Sequence, residues 1–399
     1  MKIAKNKLIY ILASLDLLVV LTEVKIYFPF VNMVFIILLV PLLISHVNWN
    51  RLITSKSFIL FFICYFILIL FAIIGHGPSI YQYLYRFTRL IPLFVAGIVI
   101  SKNIRYINGI ILFSALGIFL GGISLILQSD QFIVRDTMMD VSDYLRSPYR
   151  YVPPVFVSVL TVYLISCTEK KHLKFFLIFL TIFNLINVVR SGFTTPIFIL
   201  FVCMTAYLIR KILIVKSNLL SYLLKALMPI ALIYIAFITL ITVLPTSATS
   251  VRLTNLFNLL FLADSSVDLN YTSGNRMDLL MISLDTFSKN PFIGVGAESL
   301  SGNENRVGSH SSLFDLLAQF GVFGFLFILM FLSWIFIHFK HSLKSDSYTN
   351  LNIAFFCLWV GYFVGCIANP YFLSAAIDHY IFVFAGITVG LNNNYKYEY

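Results

Sequence analysis

The chain has 399 residues, 60% of them hydrophobic and only 11% charged, with mean hydropathy +0.93 and net charge +11. A soluble domain carries about 25% charged residues, so this composition excludes a soluble fold. The positive charge has no basic soluble domain to sit on, which excludes a nucleic-acid partner and leaves membrane topology to explain it.

Apolar stretches of around 20 residues recur from end to end, each long enough to cross a hydrocarbon core of roughly 30 Å as a helix. In chain order the expected spans are 8–24, 26–46, 57–75, 84–101, 105–127, 151–168, 172–189, 193–209, 222–244, 312–338, 350–368 and 371–390. The fold class read from them is an all-α polytopic membrane protein with about twelve transmembrane helices. Residues 1–244 hold the first nine spans. Residues 245–311 form one large extracytoplasmic loop with interfacial helices, and 312–399 hold the last three spans and a short cytoplasmic tail.

Lys2, Lys5 and Lys7 precede the first apolar run, and no small-residue cleavage site follows, so the first helix is read as retained. Cys64, Cys167, Cys203, Cys357 and Cys366 all fall in apolar stretches without a CxxC pair and read as core residues. With the N-terminus in the cytoplasm, the inner segments hold 17 cations and the outer ones 11, as the positive-inside rule asks. Fourteen of the inner cations are lysine, whereas nine of the outer ones are arginine. Lysine suffices for topology, but arginine offers a planar fork that grips phosphate. The outward arginines therefore point to an anionic ligand, although single ones can pair with Asp130, Asp136, Asp140 or Asp143 in the outer loop 128–150, or with lipid head groups.

Several residues stand out in order. Asp16 in the first span and Asp378-His379 in the last are ionisable groups at membrane depth, hence functional candidates. Asp378 and His379 are neighbours that point apart on a helix, so they form no obvious dyad. Arg86 and Arg89 lie three apart at the outer start of the fourth span and share a face with Gln82. They read either as interfacial anchors among tyrosines or as contacts to a lipid-borne phosphate. Arg190 follows the seventh span in NVVRSGFTTPIF, where the free N–H groups opening the next helix can join it around an anion. The alternative there is a helix-end anchor.

The long loop contains Met277, Leu280, Met281, Leu284 and Phe287 at helical spacing, which predicts an interfacial helix over 276–289 stopped by Asn290-Pro291. Gly294, Gly296, Gly302 and Gly308 make the passage after it a mobile, glycine-jointed lid. His310 then precedes Ser311 and Ser312 at the threshold of a single apolar helix carrying Gly321 and Gly324. A histidine there can serve as general base near neutral pH, or as a hydrogen-bonded interfacial group.

The pattern SGNRMDLL…NPFIGVG…HSSLFDLLAQFGVFG resembles the C-terminal signature of the O-antigen polymerase/O-antigen ligase superfamily, and VVRSG at 188–192 is similar to its short arginine motif. Two departures matter. Asn275 separates Gly274 from Arg276, and Phe325 stands where ligases tend to carry threonine, which favours polymerase. The resemblance implies an integral-membrane glycosyltransferase polymerising undecaprenyl-pyrophosphate-linked repeat units into O-antigen or capsular polysaccharide. It implies a bacterial inner (plasma) membrane location, with both termini cytoplasmic and the active site facing outward. Its implied catalytic residues are His310, Arg190 and Arg276. Arg190, Arg86, Arg89 and Arg276 bind the pyrophosphate, with Glu298 and Asp315 in reserve.

No His/Asp/Glu cluster has metal-ligand spacing and arginines can replace a divalent ion, so no metal and no cofactor are expected. The expected partners are the bilayer, the lipid-linked oligosaccharides, and a chain-length regulator and flippase of the same pathway. The alternatives are a ligase that moves the polymer onto a lipid A core or another acceptor, and a lipid-linked oligosaccharide flippase. A flippase would place charges along a central cavity and have no long outer loop.

Overall fold

A computed structural model describes residues 2–22, 31–49, 52, 55–74, 79–128, 148–191, 193–214, 276–295, 311–342, 348–369 and 377–395. Among these residues every regular element is helical. In chain order they are α1 (Lys2–Leu21), α2 (Val31–His46), α3 (Lys56–Ile74), α4 (Ser79–Ile100), α5 (Ile104–Gln128), α6 (Val152–Cys167), α7 (Lys171–Arg190), α8 (Thr194–Ile214), α9 (Arg276–Lys289), α10 (Ser312–Phe320), α11 (Gly324–His341), α12 (Thr349–Ala368) and α13 (Asp378–Tyr395). Short 3-10 turns at Pro148–Tyr151 and Gly321–Phe323 lead into α6 and α11. Every expected span except 222–244 holds a helix, and that one lies outside the described residues. By length and composition, four stretches among the described residues suffice to cross a membrane: Ile104–Leu127, Lys171–Arg190, Ser312–His341 and Thr349–Ile367. The protein is a helical membrane protein.

The helices pack because glycine lets their backbones meet, as in membranes where burial alone drives little association. The most extensive contact joins α4 and α13. A Cβ on Gly97 would strike the Val383 carbonyl, and one on Gly386 would strike the Phe94 carbonyl. Gly390 meets Ser101 further along, so with Phe94 at Gly386 the two helices run parallel in direct backbone contact, flanked by the stacked rings of Phe61 and Phe94 at 3.7 Å. Gly117 against Leu18 and Gly121 against Leu21 likewise set α1 and α5 parallel, whereas Cys203 against Cys357 and Ile199 against Gly361 set α8 and α12 antiparallel.

These pairings sort the helix ends into two groups. The starts of α4, α6, α8, α10 and α13 share one end of the bundle with the finishes of α1, α5, α7 and α12. The lysine-rich connections around Lys102 and Lys170–Lys174 fall at the other end. There Arg210 is buried, donating from Nε to Ser342 Oγ at 2.6 Å and lying 4.7 Å from the Phe339 ring, which caps the close of α11. Arg190 and Arg150 lie at the first end, together with the helix of Arg86 and Arg89.

One expected helix is two. The stretch after Ser312 breaks at Gly321, whose φ of 60° takes the chain out of helical geometry before α11 resumes. Four of the five cysteines are buried among the helices; Cys167, at the end of α6, is exposed.

Candidate functional site

The described part of the long loop is a helix and a turn fastened to the bundle. α9 has the bounds expected from its apolar spacing, and Asn290-Pro291 ends it. The following turn docks on the α10–α11 break through two backbone hydrogen bonds. The Val295 N–H donates to the Ala318 carbonyl at 3.0 Å, and the Val322 N–H donates to the Pro291 carbonyl at 2.7 Å. Gly294 and Gly321, at φ 74° and 60°, face each other's strands of this clasp, and a Cβ on either would collide with backbone atoms of Gln319 or Phe292. The lid expected to be jointed at its glycines is therefore fixed at Gly294. Positive φ and close backbone approach both demand glycine there, so the residue that suggested mobility marks an attachment instead. Gly296, Gly302 and Gly308 lie outside the described residues.

A side-chain bond adds a second tie between α9 and α10. Asp315, in the first turn of α10, is buried and accepts from the Ser283 hydroxyl of α9 at 2.8 Å. The same turn is anchored to α12. The Ser311 hydroxyl donates to the Cys366 carbonyl at 3.3 Å, and the Ser312 N–H and hydroxyl both reach the Asn369 carbonyl at 3.2 Å. Ser311 also accepts from the Phe314 N–H, as an N-cap does. The residue following His310 is thus held on three sides, while His310 and Glu298 themselves lie outside the described residues. Arg276 opens α9, and Arg86 and Arg89 lie on α4; their side chains are likewise outside the description.

Arg190 is the last residue of α7 and is 7% exposed. Its turn is tight. The Ser191 hydroxyl donates to the Val188 carbonyl at 2.6 Å and accepts from the Phe193 N–H at 3.2 Å, so that N–H is already engaged within the turn. Phe193 in turn packs on Tyr151, ring centroids 5.6 Å apart. Tyr151 directly follows Arg150, so its contact with Phe193 brings the 3-10 turn of Arg150 up to the turn that closes α7 at Arg190. Arg150 sits in the 3-10 turn before α6, where burial pushes its guanidinium down to about 9. It stays cationic at neutral pH.

Two features escaped the sequence reading. One is Asn184 and Asn187, which with Arg190 recur every third residue on the buried face of α7. All four side-chain polar atoms of the two asparagines are buried without a hydrogen-bond partner. That spacing of polar residues on an otherwise apolar helix was visible in the sequence. The other is a hydrogen bond between His379 Nδ1 and Asp16 Oδ2 at 2.8 Å, with both side chains at most 1% exposed. His379 has a partner, on the first helix rather than beside it. No signal in one sequence could join positions 363 residues apart.

Residues 175–329 match the family model described as O-Antigen ligase. This segment is of the O-antigen polymerase/ligase superfamily. The match runs from α7 through the clasp into α11 and so contains Asn184, Asn187, Arg190, Arg276, His310 and Asp315. Arg86, Arg89, Arg150 and the Asp16–His379 pair fall outside it. No curated protein matches the chain.

Proposed function

We propose that the protein is a membrane glycosyltransferase of the bacterial inner membrane that polymerises undecaprenyl-pyrophosphate-linked repeat units on the outward face. The observation that carries this reading is Arg190. A buried cation ends a helix within the matched segment, beside the turn whose Phe193 packs on Tyr151, the residue after Arg150. In the reaction an acceptor sugar hydroxyl attacks the anomeric carbon of the donor glycan. A new C–O bond forms as the bond from that carbon to the pyrophosphate oxygen breaks, and the electron pair stays on the departing pyrophosphate. Arg190 and Arg276 stabilise the developing charge, with Arg86 and Arg89 assisting, and His310 takes the proton of the attacking hydroxyl. Asp315 and Glu298 are reserves for the proton. Asp315 meanwhile ties α9 to α10 through Ser283. Arginines in place of a divalent ion make the reaction metal-independent.

Removing one such donor typically costs about a hundredfold to a thousandfold in rate. Arg190→Ala and His310→Ala are therefore expected to leave single repeat units on the carrier and to abolish long chains on a polysaccharide gel. Normal chain-length ladders from either variant would remove that residue from the mechanism, and loss of activity in EDTA would remove the metal-free chemistry. The description of the matched family favours a second reading, transfer of the finished polymer by a ligase. A deletion strain separates the two, since unattached polymer on the carrier means ligase and isolated single units mean polymerase.

A further inference from the structure

α11 runs 18 residues from Gly324 to His341. At 1.5 Å per residue it is about 27 Å long, close to the roughly 30 Å of a hydrocarbon core. Phe325, Leu329, Leu332 and Phe336 recur every three or four residues along it and are all exposed, an apolar stripe that suits lipid. The stripe begins at the clasp. There Phe292 is 76% and Ile293 63% exposed, and the Val322–Pro291 backbone bond sets the exposed Val322 and Phe323 beside them. An apolar patch of this kind marks an interaction surface. We propose that the clasp turn is a membrane wedge, with the side chains of Phe292 and Ile293 inserted into the hydrocarbon of the leaflet at the Arg190 end of the bundle.

The helix before the turn does not take that part. Its apolar spacing predicts an interfacial helix, yet Leu280, Leu284 and Phe287 are half-buried on the same side as the buried Ser283, and Phe287 meets the Phe325 ring edge-on at 6.0 Å. The apolar face of α9 is thus spent on α10 and α11. Its opposite face shows Asp278, Asp285, Ser288 and Lys289, with Met281 and Ile282 exposed among them. Lys289 Nζ pairs with Asp285 Oδ2 at 2.6 Å, with the side chains 69% and 59% exposed. An exposed ion pair belongs in water or among head groups, because charge in hydrocarbon is costly. The bilayer boundary therefore passes between Lys289 and Phe292. Lys289 reaches toward the head groups while the turn dips beneath them. The occupant is lipid hydrocarbon, because the patch continues the stripe of α11 and lies at the height where that span meets the edge of the core. Fastened to the bundle through Gly294 and Gly321 and to the leaflet through Phe292 and Ile293, the turn sets the height of α9 against the membrane. Nothing in this placement depends on the reaction catalysed.

Four of the five cysteines are buried, so the full-length chain with Cys167→Ser accepts a nitroxide label at one chosen position. The label would be placed through Phe292→Cys, Ile293→Cys or, as the water-side control, Ser288→Cys, in nanodiscs of phosphatidylcholine. Relaxation by oxygen, which partitions into hydrocarbon, would be compared with relaxation by a water-soluble nickel chelate. At 292 and 293 the ratio should shift toward oxygen, and at 288 toward nickel. Nickel access at 292 and 293 equal to that at 288 would put the turn in water and overturn the proposal. Shielding from both reagents would mean a protein partner in place of lipid, and dipolar broadening between labels a second copy of the chain; either overturns it as well. Unmodified protein gives a second test. A phosphatidylcholine carrying a diazirine in its acyl chain should modify the peptide over 290–295 on irradiation, and a peptide left unmodified while α11 is labelled would refute the wedge.

Discussion

Replacing Gly321 by alanine tests whether the clasp holds the loop to the bundle. At φ 60° and ψ −137° this backbone is closed to residues with a Cβ, at a cost of about 1–3 kcal/mol. The added carbon would also stand 2.5 Å from the Phe292 carbonyl, so the two strands must part. Parting them breaks the Val295–Ala318 and Val322–Pro291 hydrogen bonds, each worth about 0.5–1.5 kcal/mol net. The total is about 2–6 kcal/mol, and a mid-range value of about 4 kcal/mol raises the open population by roughly three orders of magnitude. Hydrogen–deuterium exchange at the Val295 and Val322 amides reads this directly. Both amides should be protected in the wild type and exchange far faster in Gly321→Ala. Val322→Ala is the control, because its side chain is 47% exposed and only its backbone N–H serves the clasp. If Gly321→Ala leaves both amides as protected as Val322→Ala does, the clasp argument is wrong.

Three further perturbations follow from buried contacts. Asp16→Ala leaves the buried His379 Nδ1 without its partner and should cost about 1–3 kcal/mol in stability, much of it recovered in Asp16→Ala/His379→Leu. Simple additivity of the two changes in a thermal melt would deny the pairing. Gly386→Ala drives a methyl into the Phe94 carbonyl and should lower stability by about 1–3 kcal/mol, with Gly97→Ala acting alike and the double variant less than additive. An unchanged melting temperature would mean that α4 and α13 are further apart. Ser283→Ala removes the hydroxyl bonded to Asp315 and should cost about 1–3 kcal/mol while loosening α9, seen as faster exchange over 279–287. Unaltered exchange there would make the bond incidental.

Much of the bundle was legible because membrane spans announce themselves by length and apolarity, independently of partners. The sequence reading failed where meaning depends on a distant contact. Glycines 294 and 321 look alike as hinges or as fasteners, and only their mutual approach decides between the two. His379 looked partnerless because its carboxylate sits on the opposite end of the chain. Arg150 was one outward arginine among nine, and nothing local ranked it above the others. Asn184 and Asn187 could have been singled out from their period of three with Arg190. A charge at the end of an apolar run draws attention that two neutral amides inside it do not.

The clasp also alters what the signature stretch is for. α9 and α10 both finish there, so they run side by side in the same direction, and the Ser283–Asp315 bond ties them partway along. Their starts therefore lie at one end of the pair, where Arg276 opens α9 and Ser311 caps α10 directly after His310. At that end the Ser312 and Phe314 N–H groups of α10 are already engaged by the Asn369 carbonyl and the Ser311 hydroxyl, which fix the cap. The glycine turns need not touch a phosphate to matter for one. They act at the far end, about nine residues from the cap of α10, by fixing how two helices align. A change there that spares every charged residue, Gly321→Ala above all, should weaken transfer by misaligning Arg276 against the cap rather than by removing a donor. Its signature would be a fall in rate together with loss of clasp protection, whereas Arg276→Ala should lower the rate with the clasp intact.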